Sequence, residues 1–373
     1  MIADFDPTQL PPLAQKAIAP DAPAAMKMMA AKGVLPGAKP PDVVAVLLIL
    51  ARSNTEDIAQ TARGTLKNLP RPILDGVFGN QLAPWVLNGL AEQFYANPEV
   101  VERLLRQSAI ATETLEHLAE RATERIGELI ATNESLMLGN PRVIEKLYMN
   151  KQVRMSTADR LIELAVRNQI ELGIPAFKEA AAAIKNELVT EPTPEPTFDD
   201  TLFADVDRIA VEVAPAVLDE DTHEPDDEGE EVVKPKYLPL YQEIAQMTVT
   251  QKIRRAMLGT AAERLLLIRD ANRLVSAAVA KSPLLRENEA VLIASSRAVS
   301  DEVLRIIASN REFTRNYQIK YNLVVNPRTP FSFATRMIPH LRESDLKSLV
   351  KSKNVTSSVI QAIKQQLERK KKD

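Results

Sequence analysis

The sequence predicts an all-α protein made of stacked helical repeats, an α-solenoid in two halves that are joined by a disordered acidic linker. Three observations support this prediction. Short polar signatures recur at nearly constant spacing in the C-terminal half, no stretch alternates apolar and polar residues as a half-buried strand does, and one internal segment is almost purely acidic. Helices of about nine or ten residues are too short to be stable alone, so each is expected to pack against its neighbours.

The recurring signature is clearest between residues 268 and 364. Polar residues that follow apolar helical stretches can be taken as equivalent, and the steps between them are 12, 14, 14, 16, 14 and 14 residues. A step of 14 residues fits one short helix followed by a tight turn. The equivalent residues are Asp270, Ser282, Ser296, Asn310, Asn326, His340 and Asn354.

The N-terminal half is expected to contain a flexible arm and a helical-repeat domain. Residues 1–41 are rich in Ala and Pro, which leaves room only for a short helix near residues 24–32. Pro41 and Asp42 suit the first turn of a helix, so the repeat domain is predicted to span residues 42–189. Its helices are expected over residues 43–52, 55–69, 73–78, 84–94, 99–107, 112–122, 124–132, 141–149, 157–168 and 175–189.

Residues 190–236 differ in composition from the rest of the chain and are predicted to be an acidic, Pro-rich disordered linker. Residues 190–233 hold 16 acidic residues and a single base, Arg208. One alternative to a plain tether stays open for residues 198–213, which could form a short recognition helix or strand through Leu202, Phe203, Val206, Ile209, Val211 and Val213. Such an element would become ordered when a partner presents a groove.

The C-terminal domain, residues 237–373, is basic and ends in a Lys-rich tail. The net charge of −3 is the sum of an acidic and a basic part of the chain, since residues 234–373 carry 26 Lys and Arg against 12 Asp and Glu. The cations could bind an anionic partner, could be masked by the acidic linker, or could merely solvate outer helix faces. The candidate residues for an anionic partner are Arg254, Arg255, Arg311, Arg315, Tyr317, Lys320, Tyr321, Arg328, Arg369, Lys370, Lys371 and Lys372.

Aromatic residues interleave with these cations in one stretch. Phe313, Tyr317 and Tyr321 recur every four residues, which would place them on one face of a helix. If exposed, the face could stack on bases and contact the phosphates of single-stranded nucleic acid. If buried, it is the core stripe of one repeat, and this second interpretation is favoured.

No constellation predicts an enzyme, so we expect no catalytic residue, no metal and no cofactor. The chain lacks cysteine, which excludes disulfides and thiolate chemistry and fits a reducing, cytoplasmic location. His117, His223 and His340 lie in separate predicted elements without metal-ligand spacing. The glycines form no phosphate-binding loop. No N-terminal stretch resembles a signal peptide, and the longest apolar run, residues 43–51, is too short to cross a bilayer.

Several stretches carry a family resemblance. LLLIRDANRLV (265–275), VLRIIASNR (303–311), NPRTP (326–330) and KNV (353–355) are similar to a bacterial family of HEAT-like and leucine-rich-repeat-variant α-solenoids. The resemblance covers residues 250–370 well, residues 60–170 loosely and the acidic segment not at all. It implies a fold and no catalytic residues. Such solenoids generally serve as interaction scaffolds, and a minority, including alkylpurine DNA glycosylases, bind nucleic acid on a basic concave face.

The sequence therefore predicts a non-enzymatic scaffold or adaptor that binds an unknown protein partner through helical repeats. The alternative is a protein that binds nucleic acid or another polyanion through residues 237–373. A further hypothesis is that the acidic linker folds back weakly on the C-terminal domain. The expected contacts are Arg254, Arg255, Arg311, Arg315, Lys320 and the tail at residues 369–372.

Overall fold

The computed structural model describes residues 8, 10–186, 195–213, 218, 220–226, 229–352 and 354–370. Helices dominate these residues, and the only strands among them pair in one short hairpin, which confirms the all-α prediction. Contacts divide the chain into an N-terminal unit, Met1–Thr157, and a C-terminal unit, Ala158–Asp373. The sequence had placed this division in residues 190–236.

The N-terminal unit contains eleven helices among its described residues, and a twelfth begins at its end. They are α1 Pro12–Ile18, α2 Ala24–Ala31, α3 Pro40–Leu50, α4 Glu56–Lys67, α5 Arg71–Phe78, α6 Pro84–Phe94, α7 Pro98–Leu105, α8 Thr112–Glu120, α9 Glu124–Ala131, α10 Glu134–Gly139, α11 Pro141–Tyr148 and α12 Met155–Arg167.

The arm predicted to be flexible is packed where the structure describes it. Helix α1 contacts α3, and α2 contacts both α3 and α4. The buried side of this packing consists of small residues, Ala14, Ala17, Ala30 and Ala31. Helix α2 matches the short helix expected at residues 24–32. Small side chains let these two helices approach the core closely, so the Ala-rich composition has a packing role.

Local sequence explains where these helices begin. Prolines occupy the first turn of α3, α6, α7 and α11, where the missing N–H has no helical partner to lose and the fixed φ suits the helix. Asn97 caps α7 by accepting hydrogen bonds from the N–H groups of Glu99 and Val100. Helical starts at or near Asn-Pro and Pro-Asp pairs were therefore predictable from sequence alone.

The C-terminal unit contains the rest of α12, twelve further helices and the hairpin among its described residues. They are α13 Phe177–Ile184, α14 Phe198–Val213, β1 His223–Pro225, β2 Glu231–Val233, α15 Leu238–Gln246, α16 Val249–Leu258, α17 Ala261–Leu267, α18 Arg273–Ala280, α19 Glu287–Ser295, α20 Asp301–Ser309, α21 Tyr317–Val325, α22 Phe331–Met337, α23 Glu343–Val350 and α24 Ser357–Arg369. The strands are antiparallel, with His223 opposite Val233.

The predicted disordered linker is not confirmed over its described residues. Helix α14 and the β1–β2 hairpin occupy most of this region, and both make contacts with the C-terminal unit. The predicted extended run of alternating Pro and acidic or Thr residues at 191–196 lies mainly outside the described residues, as do residues 214–217, 219, 227 and 228. The acidic composition suggested disorder, but apolar residues within it supply a packing face.

Helices in each unit contact their next-but-one neighbours. In the C-terminal unit, α16 contacts α18 and α18 contacts α20, while α17 contacts α19 and α19 contacts α21. In the N-terminal unit, α6 contacts α8 and α7 contacts α9. In these stretches, alternate helices therefore pack against each other.

Most of the polar residues that recur in the sequence make the same kind of hydrogen bond at their turns. Five of them accept a hydrogen bond from the backbone N–H two residues further on, an arrangement that stops the helix and turns the chain. The acceptors are Asp270, Ser282, Ser296, Asn310 and Asn326, at 2.8, 3.3, 3.3, 2.9 and 3.0 Å. His340 instead ends a 3-10 helix, Ile338–His340. At the last turn Ser352 accepts from the N–H of Asn354.

Asn326 also ties its turn to an earlier one. Its Nδ2 donates to the carbonyl oxygens of Ala294 and Ser296, at 2.9 and 2.7 Å, and the amide is buried. Asn150 does the same in the N-terminal unit, where its Nδ2 donates to Ala119 and Ala122. These bonds satisfy carbonyl groups at and just beyond the C-terminal ends of α19 and α8, where the regular helical hydrogen bonds stop.

Replacing Asn326 with Ala should therefore lower the free energy of unfolding more than replacing a residue that makes only the turn hydrogen bond. We expect Asn326→Ala to lower the free energy of unfolding by about 2–3 kcal/mol, because two carbonyls lose their donor and the turn loses its acceptor. The matched variant Asn310→Ala loses only the bond to Glu312 and should cost about 1 kcal/mol or less. Urea unfolding followed by far-ultraviolet circular dichroism measures both. Equal losses would show that the tie between turns adds nothing.

Candidate interaction surface of the C-terminal unit

Two of the predicted anion-binding residues, Arg254 and Arg255, lie in the interior. They belong to α16 and are 0% and 1% exposed. Their guanidinium carbons lie 5.0 and 4.8 Å from the centre of the Phe203 ring on α14, within the range of a cation–π interaction. The prediction that these two side chains face an external polyanion is wrong. A charge count along the sequence cannot show that α14 covers this side of α16.

Arg255 is held by two carboxylates. Its Nε donates to Glu263 Oε1 at 2.6 Å, and its Nη2 donates to Asp207 Oδ1 at 3.0 Å. Glu263 is 0% exposed, and its second oxygen accepts from the N–H of Thr260. An isolated charge at such a site would cost several kcal/mol, so the pairing is a condition for burying either group.

A second buried pair joins α17 to α19. Arg264 donates from Nε and Nη2 to the two oxygens of Glu289, both at 2.8 Å, and from Nη1 to the carbonyl of Gly259 at 2.7 Å. This two-pronged geometry is the strongest form of an ion pair. Gly259 is required between α16 and α17, because a Cβ there would lie 2.6 Å from the carbonyl oxygen of Arg255.

Helix α14, within the acidic segment, packs on this charged core. Leu202, Phe203 and Val206 are buried, and the helix contacts α15. Gln251 of α16 donates from Nε2 to the carbonyl of Asp199 at 3.2 Å. Residues 198–213 therefore form a helix that packs on α15 and α16 of the same chain, and the alternative that they order on a partner's groove stays a prediction.

The β1–β2 hairpin is fixed to the turn after α17 through Arg269. The Arg269 side chain is 7% exposed; its Nε donates to Glu231 at 2.8 Å and its Nη2 to Asp221 at 2.6 Å. Glu231 also accepts from Ser296 Oγ, at 2.9 and 2.7 Å to its two oxygens, and from the N–H of Arg297 at 3.0 Å. Residues distant in sequence thus meet at one carboxylate.

These contacts shift the pKa values of Glu231 and His223 in the hairpin. Burial raises the pKa of Glu231, but the hydrogen bond from Ser296 and the charge of Arg269 outweigh it, so the pKa lies below its usual range. Burial, followed by the positive charge of Arg269, lowers the pKa of His223 to about 4. At pH 7 the hairpin therefore presents an ionised Glu231 and a neutral His223.

The acidic segment contacts the C-terminal unit, but in a different way from that described by the fold-back hypothesis. Arg255 was among the expected contacts and bonds to Asp207 of the acidic segment. Arg269 was not expected, yet it bonds to Asp221 and Glu231. These contacts are specific and largely buried, whereas the hypothesis described a weak, exposed and exchanging attraction.

Other predicted cations do lie at the surface. Arg311, Arg315 and Arg328 are exposed, and no carboxylate of the described residues lies within ion-pair distance of them. Lys320 is half-buried, and its Nζ lies 3.5 Å from the carbonyl oxygen of Arg315. In the tail, Arg369 and Lys370 are exposed, while residues 371 and 372 lie outside the described part of the chain.

The predicted aromatic face is not one helix face. Phe313 belongs to a separate 3-10 helix, Phe313–Arg315, and α21 starts afterwards at Tyr317. Tyr317 and Tyr321 are half-buried and pack against the apolar core of the last helices. The Tyr317 hydroxyl donates to Asp345, and burial together with this bond raises the pKa of Tyr317.

A cavity of about 710 Å³ opens between the hairpin, α15 and the end of α17. Apolar side chains such as Val233, Ile244 and Leu266 line it. Its charged wall groups are paired; Lys252, for example, lies 3.0 Å from Asp270. No sequence signal marks this cavity, because it exists only where the hairpin packs on the helices.

Removing one partner of a buried pair should destabilise the protein strongly. We expect Glu289→Ala to lower the free energy of unfolding by about 3–5 kcal/mol, because Arg264 stays buried without its carboxylate. The double variant Arg264→Met with Glu289→Leu should recover most of this loss, since no uncompensated charge remains. Lys347→Ala, which breaks an exposed pair with Glu343, should cost at most about 0.5 kcal/mol. Urea unfolding of the four proteins compares them, and an equal cost for Glu289→Ala and Lys347→Ala would contradict the account.

Comparisons with known proteins add no further constraint. In the described ranges, no group of three or more His, Asp or Glu residues is placed to hold a metal ion. None of the described helices is long and apolar enough to cross a membrane. No family model, curated protein or solved structure matches the chain. The resemblance to HEAT-like solenoids stays a prediction, and function has to be inferred from the contacts within this chain.

Proposed function

We propose that this chain is a non-enzymatic scaffold or adaptor whose HEAT-like helical repeats stack into an α-solenoid within each unit and bind a protein partner. A stack of this kind exposes an extended surface because each repeat touches only its neighbours. Large interaction surfaces are the usual use of such repeats. The cysteine-free composition fits action in the cytoplasm.

The observation that carries the proposal is the contact between next-but-one helices. Helices α16, α18 and α20 contact one another in sequence, and α17, α19 and α21 form a second such series. Two parallel series are what a stack of helix pairs produces. The shared turn hydrogen bond at Asp270, Ser296 and Asn326 supports the same interpretation, because it recurs after each helix of one series.

Binding of a polyanion is the second candidate. It is favoured by exposed cations, such as Arg311, Arg315 and Arg328, that have no carboxylate partner among the described residues. Residues 297–373 carry 16 Lys and Arg against 7 Asp and Glu. Phosphate backbones bind such surfaces with an affinity that falls steeply as salt rises.

Affinity purification of the tagged full chain separates these two functions. The lysate is divided, and one half is treated with nuclease before capture at low salt. A scaffold should retain one defined protein in near-stoichiometric amount in both halves, because the contact does not pass through nucleic acid. That protein, purified separately, should form a complex with the full chain in gel filtration.

The opposite result is equally clear. If nucleic acid co-purifies, is released by moderate salt and leaves no retained protein after nuclease treatment, the second candidate replaces the first. If neither protein nor nucleic acid is retained and the purified chain binds neither, both functions are wrong.

A further inference from the structure

The turns after α17, α19 and α21 lie side by side along one edge of the C-terminal unit. Glu231 bridges the first turn to the second, because it binds both Arg269 and Ser296. Asn326 ties the third turn to the second through the carbonyls of Ala294 and Ser296. We call these three turns, residues 268–272, 296–300 and 326–330, the turn edge.

Each turn of this edge contributes a cation. Arg269, Arg297 and Arg328 follow the ends of α17, α19 and α21, respectively. Arg328 reaches back towards the preceding turn, where its Nη1 lies 3.5 Å from the carbonyl oxygen of Ala298. Cations at helix C-termini also complement the helix dipole, worth about 0.3–1 kcal/mol each, so the row alone would not identify a ligand.

The Glu231 carboxylate, which lies between the first and second turns, does identify a ligand. Glu231 receives donors from a guanidinium, a buried hydroxyl and a backbone N–H, all fixed by the helices on either side. Ser296 is 5% exposed and the Arg269 side chain 7%. This is a built site for a carboxylate, and an acidic strand of the chain itself occupies it.

The next two arginines of this row have no carboxylate partner among the described residues. Arg297 and Arg328 are exposed, and among the described residues no carboxylate lies within ion-pair distance of either side chain. In the described part of the hairpin, Glu231 is the carboxylate that contacts the first and second turns. At the next gap the described residues place no carboxylate, and Asn326 and Arg328 meet only backbone carbonyl oxygens of the preceding turn there.

We propose that the turn edge around Arg297 and Arg328 binds an acidic segment of a partner polypeptide, which continues the line of carboxylates begun by Glu231. This inference rests on the proposed scaffold function and names the chemistry of its partner. The excess of cations in residues 297–373 favours approach of such a segment. An extended acidic peptide fits because successive turns are spaced along one edge.

Fluorescence anisotropy with a labelled peptide of ten glutamates tests the proposal on the full chain at low salt. The double variant Arg297→Gln with Arg328→Gln should bind the peptide about tenfold more weakly, a loss of about 1.4 kcal/mol, since it loses two exposed charge contacts. The matched control is Arg311→Gln with Arg315→Gln, which removes the same charge from exposed positions after α20, outside the turn edge. It should change the affinity less than about threefold. Circular dichroism verifies that both variants fold.

Three outcomes overturn the proposal: no binding of the peptide by the native chain, equal losses in the two double variants, or tighter binding of an oligodeoxythymidylate of equal charge through the same two arginines. The last would assign the edge to nucleic acid. The test is separable from that of the scaffold function. If the Arg297→Gln and Arg328→Gln chain still retains the captured protein, the scaffold stands, and this fourth outcome overturns the proposal that the turn edge is the partner's contact. If no variant retains a protein, the scaffold function fails whatever the peptide does.

Discussion

Buried arginines hold the C-terminal unit together, and the elements around them are arranged so that each arginine meets a carboxylate. Arg255 meets Glu263 across the turn at Gly259, and Arg264 meets Glu289 two helices further on. Breaking either pair while the arginine stays buried costs several kcal/mol. Helices α16, α17 and α19 therefore depend on one another through charge as well as through apolar contact.

The same constraint draws the acidic segment into the fold. Asp207 gives Arg255 its second carboxylate, and the Phe203 ring stacks beside the guanidinium. Further along, Asp221 and Glu231 neutralise Arg269. Part of the charge dipole of the sequence is thus cancelled within the C-terminal unit. Other cations, Arg297 and Arg328 among them, have no carboxylate within ion-pair distance among the described residues, and the proposed partner surface is made of these two.

The ends of helices were predictable because their signals are local. Polar residues such as Asn310 and Asn326 stop a helix by bonding the N–H two residues on, and that bond needs no distant partner. The hairpin was not predictable, because its acids read as low-complexity sequence until Arg269 and Ser296, 38 and 65 residues away from Glu231, come together. Long-range pairing leaves no pattern at short spacing.

For the same reason, the structure places some of the predicted site residues at the surface and others in the interior. Four-residue spacing placed Phe313 and Tyr317 on one face only if the helix were continuous, but Asn316 caps a new helix by accepting from the N–H of Gln318 at 2.7 Å. Exposure of Arg254 and Arg255 was inferred from charge alone. Which face of α16 is covered depends on α14, and its docking is a tertiary event that composition does not encode.

Hydrogen–deuterium exchange of the intact chain, resolved by mass spectrometry of its peptides, tests the central claim most directly. If α14 is an integral part of the C-terminal unit, amides of Phe198–Val213 should be protected nearly as strongly as those of α16, Val249–Leu258, because both open only when the buried arginine pairs separate. If residues 198–213 exchange at the rate of an unstructured peptide while α16 stays protected, the claim is contradicted and the acidic segment is only a spacer.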